Sequence, residues 1–202
     1  MNNNNNRKDN KRIYCLSGGA VGSDWLFGLI GKELGYTTLA YSFKGHKVCE
    51  GSVRIELDDN SLYEHMENYR RIAGFMGRAV AIREYSKKLI LRDFFQIYGR
   101  FGLMSELVIC VGEIEGRTVN IKGGSGYAVR VAMSEKIPII LIDKSENYSY
   151  KWFNYNNGSW RSLIEGDLEN IKIKYGFTGI GSRDIDISKA RNSIIRLLKK
   201  VL

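Results

Sequence analysis

The chain predicts an α/β fold in which a parallel sheet is covered by helices on both faces. Three observations carry this prediction. Strand-like runs alternate with helix-like runs along the 202 residues. The strand-like runs are continuously apolar, as in Glu106–Val111 (ELVICV) and Pro138–Ile142 (PIILI), which marks strands buried on both sides. Glycine clusters sit where such a strand hands over to a helix, and these turns lie at the carboxyl ends of the strands.

The elements follow in order. Residues 1–10 form a polar, asparagine-rich tail expected to be disordered, and residues 11–202 form one domain. Lys11–Leu16 reads as a strand ending at Ser17-Gly18-Gly19-Ala20-Val21-Gly22-Ser23-Asp24. Asp24–Leu34 is a helix with Leu26, Phe27, Leu29, Ile30 and Leu34 on one face, stopped by Gly35. Thr37–Tyr41 and Val53–Leu57 are short strands on either side of a polar loop. Ser61 to Gly99 reads as two helices broken near Ser86. After the Glu106–Val111 strand, residues 113–121 form a loop or short hairpin. Gly124–Lys136 is a helix, and Pro138–Ile142 the next strand. Asn147–Ile164 is an irregular aromatic insertion. Lys174–Ile180 is the last strand, and Ile187–Leu202 a helix with Ala190, Ile194, Leu197, Leu198 and Val201 on one face.

The formal net charge is +9, the balance of a nucleic-acid partner or of a lysine-rich surface around an anion site. No run of five or more basic residues occurs, so DNA binding is not the favoured reading. The three cysteines, Cys15, Cys49 and Cys110, lack metal-type spacing, and Cys15 and Cys110 fall within strands as buried thiols. Such sparse cysteine use fits a reducing cytoplasm. No secretory signal and no run of about 18 apolar residues is present, so no membrane association is expected. The two histidines, His46 and His65, have no ligand pattern beside them, and no metal or cofactor is expected.

Three glycine loops carry the chemistry: SGGAVGSD, Lys122-Gly123-Gly124-Ser125-Gly126, and Gly179-Ile180-Gly181-Ser182-Arg183-Asp184. A tight turn exposes backbone N–H groups and the following helix dipole favours an anion, so a phosphorylated, nucleotide-like ligand is expected. The predicted cradle comprises Gly18, Gly19, Gly22, Gly123, Gly124, Ser125 and Gly126 with Ser17, Ser23, Ser182 and Arg183. The Arg183 fork suits a phosphate bidentately, or pairs with Asp184 or Asp186. Asp24 faces a ribose or caps its helix. His46, in a Lys-Gly-His-Lys loop, touches the ligand or is solvated. Tyr41 and the aromatic insertion are candidates for stacking a base.

The runs SGGAVGSD, VG…KGGSGYAVRVA and FTGIGSRD resemble the SLOG superfamily, Rossmann-like proteins that include the DprA and lysine-decarboxylase-like families. In linear relatives the GIGSR strand precedes the SGGA strand; here it comes last, which resembles the circularly permuted, YpsA-like branch. The resemblance implies a Rossmann-like, circularly permuted sheet in which the first and last loops are neighbours. It also implies nucleotide-derived ligands, held by sensors or hydrolysed at the N-glycosidic bond. In the lysine-decarboxylase-like branch the carboxylate for that hydrolysis ends a PGGxGTxxE motif, and Arg130 stands at its place here. Asp24, Glu113 and Asp143 remain as candidates for a catalytic carboxylate. Permuted relatives carry an Arg-Asn-x-x-Gln pattern; Arg92 and Gln96 match it and Asp93 departs from it, so Arg92 and Gln96 are expected at the ligand. Relatives also dimerise through helices, so a homo-oligomer is expected, with the tyrosine-rich 61–99 region as its contact. These readings favour non-catalytic binding of a mononucleotide, ADP-ribose derivative or cyclic nucleotide, as a sensor or a phage anti-defence sponge. A nucleotide N-glycoside hydrolase is the alternative, and a DNA-binding protein the second.

Overall fold

The computed structural model describes residues 12–202 except 101 and 170. The tail at 1–10 and Lys11 lie outside the described residues. Among these residues eight strands form one sheet: β1 (Tyr14–Ser17), β2 (Thr37–Phe43), β3 (Val53–Leu57), β4 (Val108–Gly112), β5 (Ile139–Asp143), β6 (Ser149–Asn154), β7 (Ser159–Ser162) and β8 (Gly176–Gly181). The order across the sheet is β3-β2-β1-β8-β4-β5-β6-β7. The first six in that order run parallel, giving a Rossmann-like α/β fold, and β6 and β7 run antiparallel.

Two expectations change here. The sheet is mixed rather than wholly parallel. The aromatic insertion is not irregular: residues 149–162 form a hairpin that adds two strands to the β5 edge. Its aromatics serve packing. Phe153 meets Tyr155 and Trp160 edge to face, and the Trp160 indole N–H donates to the Val119 carbonyl at 2.9 Å.

The helices are α1 (Ser23–Leu34), α2 (Asp59–Tyr63), α3 (Met66–Phe75), α4 (Glu84–Tyr98), α5 (Ser125–Ser134), α6 (Glu165–Glu169) and α7 (Ile187–Val201). The region from 61 to 99 thus holds three helices, and its main break falls at residues 76–83, where Gly77 takes a φ of 65°. Ser86 lies inside α4. The short α6 had no clear sequence pattern. Local signals set the other ends: Gly35 closes α1 in the left-handed conformation at φ 82°, and the Asp186 side chain accepts the Lys189 N–H to cap α7.

Two apolar cores flank the sheet. One face is covered by α2 to α5, with Tyr69, Phe94 and Phe95 among its buried rings. The other is covered by α1 and α7 through Phe27, Ile30, Ile194 and Leu198. Each fully buried aliphatic or aromatic side chain contributes about 1.5–3 kcal/mol. Cys15 and Cys110 are buried, and burial pushes both thiols up, Cys110 to about 12.

β8 is last among the strands in sequence, yet it pairs with both β1 and β4. That adjacency brings the loops after β1, β8 and β4 to the same end of the sheet. Among the described residues no helix is long and apolar enough to cross a membrane.

Candidate functional site

A cavity of about 490 Å³ opens where those loops meet. The loop after β1 supplies Ala20, Val21 and Asp24 to it. The loop after β8 supplies Ser182, Arg183 and Asp184, and the segment after β4 supplies Glu113, Lys122, Gly123, Gly124 and Ser125. Lys144, after β5, and Ile180 and Gly181 of β8 also line it, and a further wall is one face of α4: Leu89, Arg92, Asp93 and Gln96, spaced i, i+3, i+4, i+7, with Ile90 beside them. α4 dives into the protein along its length, so Leu89 and Ile90 stand half-buried at the rim while Arg92, Asp93 and Gln96 are buried at the floor.

The floor is a network. Arg92 Nη1 donates to the Gly18 carbonyl at 3.0 Å, and Nη2 to Asp93 Oδ1 at 3.0 Å. Gln96 Nε2 donates to the same Asp93 oxygen at 3.0 Å. Burial pushes the Asp93 carboxyl up to about 7, with Arg92 pulling against it. Burial also raises Asp24, outweighing Arg92 and the backbone N–H groups of Ala20, Gly181 and Gly18. His46 lies below Arg92, its Nε2 3.3 Å from Nη1 and its Nδ1 3.1 Å from Ser42 Oγ. Burial, then Arg92, push its pKa down to about 4, so the ring is neutral. Its Nε2 therefore accepts from Arg92 and its Nδ1–H donates to Ser42.

The three glycine loops differ in what they offer. The first turns inward. Ser23 donates both its N–H (3.1 Å) and its hydroxyl (2.8 Å) to the Ser182 carbonyl, and Ser17 Oγ donates to the Gly179 carbonyl at 2.6 Å. The Asp24 carboxyl takes the N–H of Gly181 at 3.3 Å and draws on those of Ala20 and Gly18. That loop therefore already has an acceptor of its own. Gly22 is required there: its φ is 101°, and a Cβ would stand 2.6 Å from Arg183 Cα. The loop before α5 turns outward, and the N–H groups of Gly124 and Ser125 meet no acceptor among the described residues. Arg183 is exposed and has no ion pair among the described residues, so the alternative reading, a pairing with Asp184 or Asp186, does not form. Lys122 pairs with Glu113, and Lys144 Nζ donates to the Asp184 carbonyl at 2.9 Å.

Several expected contacts lie elsewhere. Ser17, Gly18, Gly19, Gly22, Ser23 and Gly126 do not line the cavity; they join the strands and loops that frame it. Tyr41 is in the core, its hydroxyl accepting the Arg100 N–H at 3.0 Å. His46 supports Arg92 from beneath. Asp143 is buried against Lys151 at 3.3 Å and accepts the Ser145 N–H. Asp24 is not a helix cap, because Gly22 holds that position. Arg130 turns away from the cavity and lies over the Phe75 ring at 5.8 Å. A residue facing that way neither supplies nor replaces a group in the crevice. Asp24, Glu113, Arg92, Gln96, Gly123, Gly124, Ser125, Ser182 and Arg183 do line it.

No protein-family model matches the sequence, and no curated protein is significantly similar to it. The fold is similar to a crystal structure of a protein provisionally named a molybdenum carrier protein, from Syntrophus aciditrophicus. The two share 17% identity and a TM-score of 0.49, over 95% of this chain and 94% of that one.

Asp93, Leu89, Ile90 and Lys144 are cavity residues that the sequence reading left out. The α4 face was legible in principle, because Leu89, Arg92, Asp93 and Gln96 share one helical stripe. Asp93 departs from the Arg-Asn-x-x-Gln pattern, yet a carboxyl between an arginine and a glutamine on a buried stripe is itself a signal. Among the described residues no group of three or more His, Cys, Asp or Glu side chains is placed to hold a metal.

Proposed function

We propose that the crevice binds a small, phosphorylated, nucleotide-derived ligand, and that the protein acts as a sensor or sequestering protein. The observation that carries this reading is the outward-facing α5 N-terminus. Two backbone N–H groups without acceptors lie beside the cavity that the uncompensated Arg183 also lines. Helix-terminal N–H groups and a guanidinium fork are complementary to a phosphate. The volume of about 490 Å³ accommodates a mononucleotide-sized ligand. The loop motifs and the β1-β8-β4 adjacency support placing the chain in the permuted branch of the SLOG superfamily. A cytoplasmic homo-oligomer and a role against nucleotide immune signals belong to the same reading.

A second reading, a nucleotide N-glycoside hydrolase, is favoured by one observation. Two buried carboxyls, Asp24 and Asp93, line the cavity, and Asp93 is held near neutral pH. A carboxyl in that state can donate a proton to a leaving base, and a carboxylate can stabilise the developing oxocarbenium charge. One experiment separates the readings. The protein is incubated with mononucleotides, ADP-ribose and cyclic dinucleotides, its melting temperature is read, and the released ligand is chromatographed. Unchanged ligand with a raised melting temperature supports binding. Free base and ribose phosphate establish hydrolysis. No shift and no turnover with any compound refutes both.

A further inference from the structure

We infer that Arg78, which does not line the crevice, is the positioning residue that aims the α5 N-terminus into it. This role rests on the proposed binding of a phosphorylated ligand and adds the device that keeps the anion end in its binding shape. Residues 113–122 leave β4 as a short hairpin. It is closed by an antiparallel Ile114–Ile121 bridge and by the Glu115 N–H, which donates to the Asn120 carbonyl at 2.8 Å. The loop before α5 continues its second arm. Arg78, in the segment between α3 and α4, grips both. Its Nη2 donates to Glu115 Oε2 at 2.7 Å and to the Ile121 carbonyl at 3.0 Å, and its Nη1 to the Gly123 carbonyl at 2.9 Å. The guanidinium also lies over the Tyr127 ring, in the first turn of α5, at 5.4 Å. The arginine is itself anchored. Its backbone N–H donates to the Ala73 carbonyl at 2.9 Å, and the nearby Ala81 N–H donates to the Tyr69 hydroxyl at 2.7 Å.

The bond to Gly123 decides which way the loop faces. A peptide unit is planar and trans, so the Gly124 N–H points opposite to the Gly123 carbonyl. With that carbonyl drawn toward Arg78, the N–H is turned to the other side of the loop, where Gly123, Gly124 and Ser125 line the crevice. Packing does not impose this orientation. The unit lies between two glycines, and a Cβ at either would meet no atom within 4 Å. Gly123 takes a φ of 79°, and glycine adopts positive and negative φ about equally readily, so the unit turns over at little cost. Turned over, it would present a carbonyl oxygen to the crevice and repel a phosphate. One planar fork, bonded to the hairpin and to the loop, therefore keeps a donor rather than an acceptor at the anion end.

The test is calorimetric titration of the full chain with adenosine 5′-monophosphate and inorganic phosphate, well below the melting temperature, in the wild type, Arg78→Ala, Arg78→Lys and Arg183→Ala. Arg78→Ala should bind adenosine 5′-monophosphate about 10-fold more weakly, and its Gly124 amide resonance should be displaced before any ligand is added. Lysine keeps the charge but loses the fork, so Arg78→Lys should remain about 3-fold or more weaker than the wild type. Full affinity in Arg78→Lys would show that charge alone acts and overturns the inference; this variant decides the matter if Arg78→Ala does not fold. A lowered melting temperature with unchanged affinity in Arg78→Ala makes the residue merely structural and also overturns it. If Arg183→Ala still weakens binding in that case, the nucleotide reading stands. A wild type that binds neither compound overturns the nucleotide reading and this inference with it.

Discussion

Asp93→Asn should change how stability depends on pH. The asparagine keeps an oxygen to accept from Arg92 and Gln96, both now on Asp93 Oδ1 at 3.0 Å, and removes a carboxyl that titrates in the fold. Burial raises that carboxyl from 3.8 to about 7. A raised carboxyl binds its proton more tightly in the folded chain than in the unfolded one. Its contribution is therefore fully present below about pH 4 and is lost as pH rises through about 7. A gap of about three pH units at roughly 1.4 kcal/mol each corresponds to a loss of about 4 kcal/mol across that window. The assay is urea denaturation of both proteins at intervals from pH 4.5 to 8.5. The wild-type stability should fall relative to the variant by a few kcal/mol as pH rises, most steeply between pH 5 and 7. Parallel curves for the two proteins would refute the claim that Asp93 is the buried, charge-penalised group of the floor.

The other expectations concern the frame and the mouth of the crevice. Arg183→Ala removes a charged donor and should weaken binding of adenosine 5′-monophosphate about 10-fold or more, read by calorimetry, with little change in melting temperature; unchanged affinity means the phosphate lies elsewhere. Gly126→Ala would place a Cβ 2.2 Å from the Ile121 carbonyl oxygen, and the clash should cost about 3 kcal/mol in denaturant titrations; wild-type stability would show that the loop before α5 yields easily. Glu106 Oε2 accepts the N–H groups of Lys174 and Tyr175, each at 2.7 Å, and of Gly176 at 3.1 Å, pinning the start of β8. Its replacement by alanine should cost about 2 kcal/mol, and an unchanged urea midpoint would contradict that role.

The alternation of apolar runs with helical stripes was enough to place β4, β5, α1 and α7, because buried parallel strands and one-sided helices carry strong periodic signals. The adjacency of β8 to β1 was legible only through the order of the motifs. The hairpin of β6 and β7 was not legible: Tyr150, Trp152, Phe153 and Trp160 are half-buried or buried on a sheet edge, and their pattern does not separate a strand from a loop. The site was half visible. Glycine spacing located the loops, but it could not say which way each loop turns. Ser23 and Asp24 consume the N–H groups of the first loop, a matter of tertiary contacts with Ser182 and Gly181 about 160 residues away. Likewise Arg130 was placed by motif position, and its orientation over Phe75 depends on how α5 packs against α3.

The central claim is that the outward α5 N-terminus and Arg183 form the anion end of the crevice. The most direct measurement is a titration of the ¹⁵N-labelled protein with adenosine 5′-monophosphate, followed by amide chemical shifts. The amides of Gly124, Ser125 and Arg183 should move first and furthest and saturate together, while those of Gly18 and Gly19 stay nearly still. Shifts centred on Gly18 and Gly19, or saturable shifts confined to another face of the protein, would contradict it.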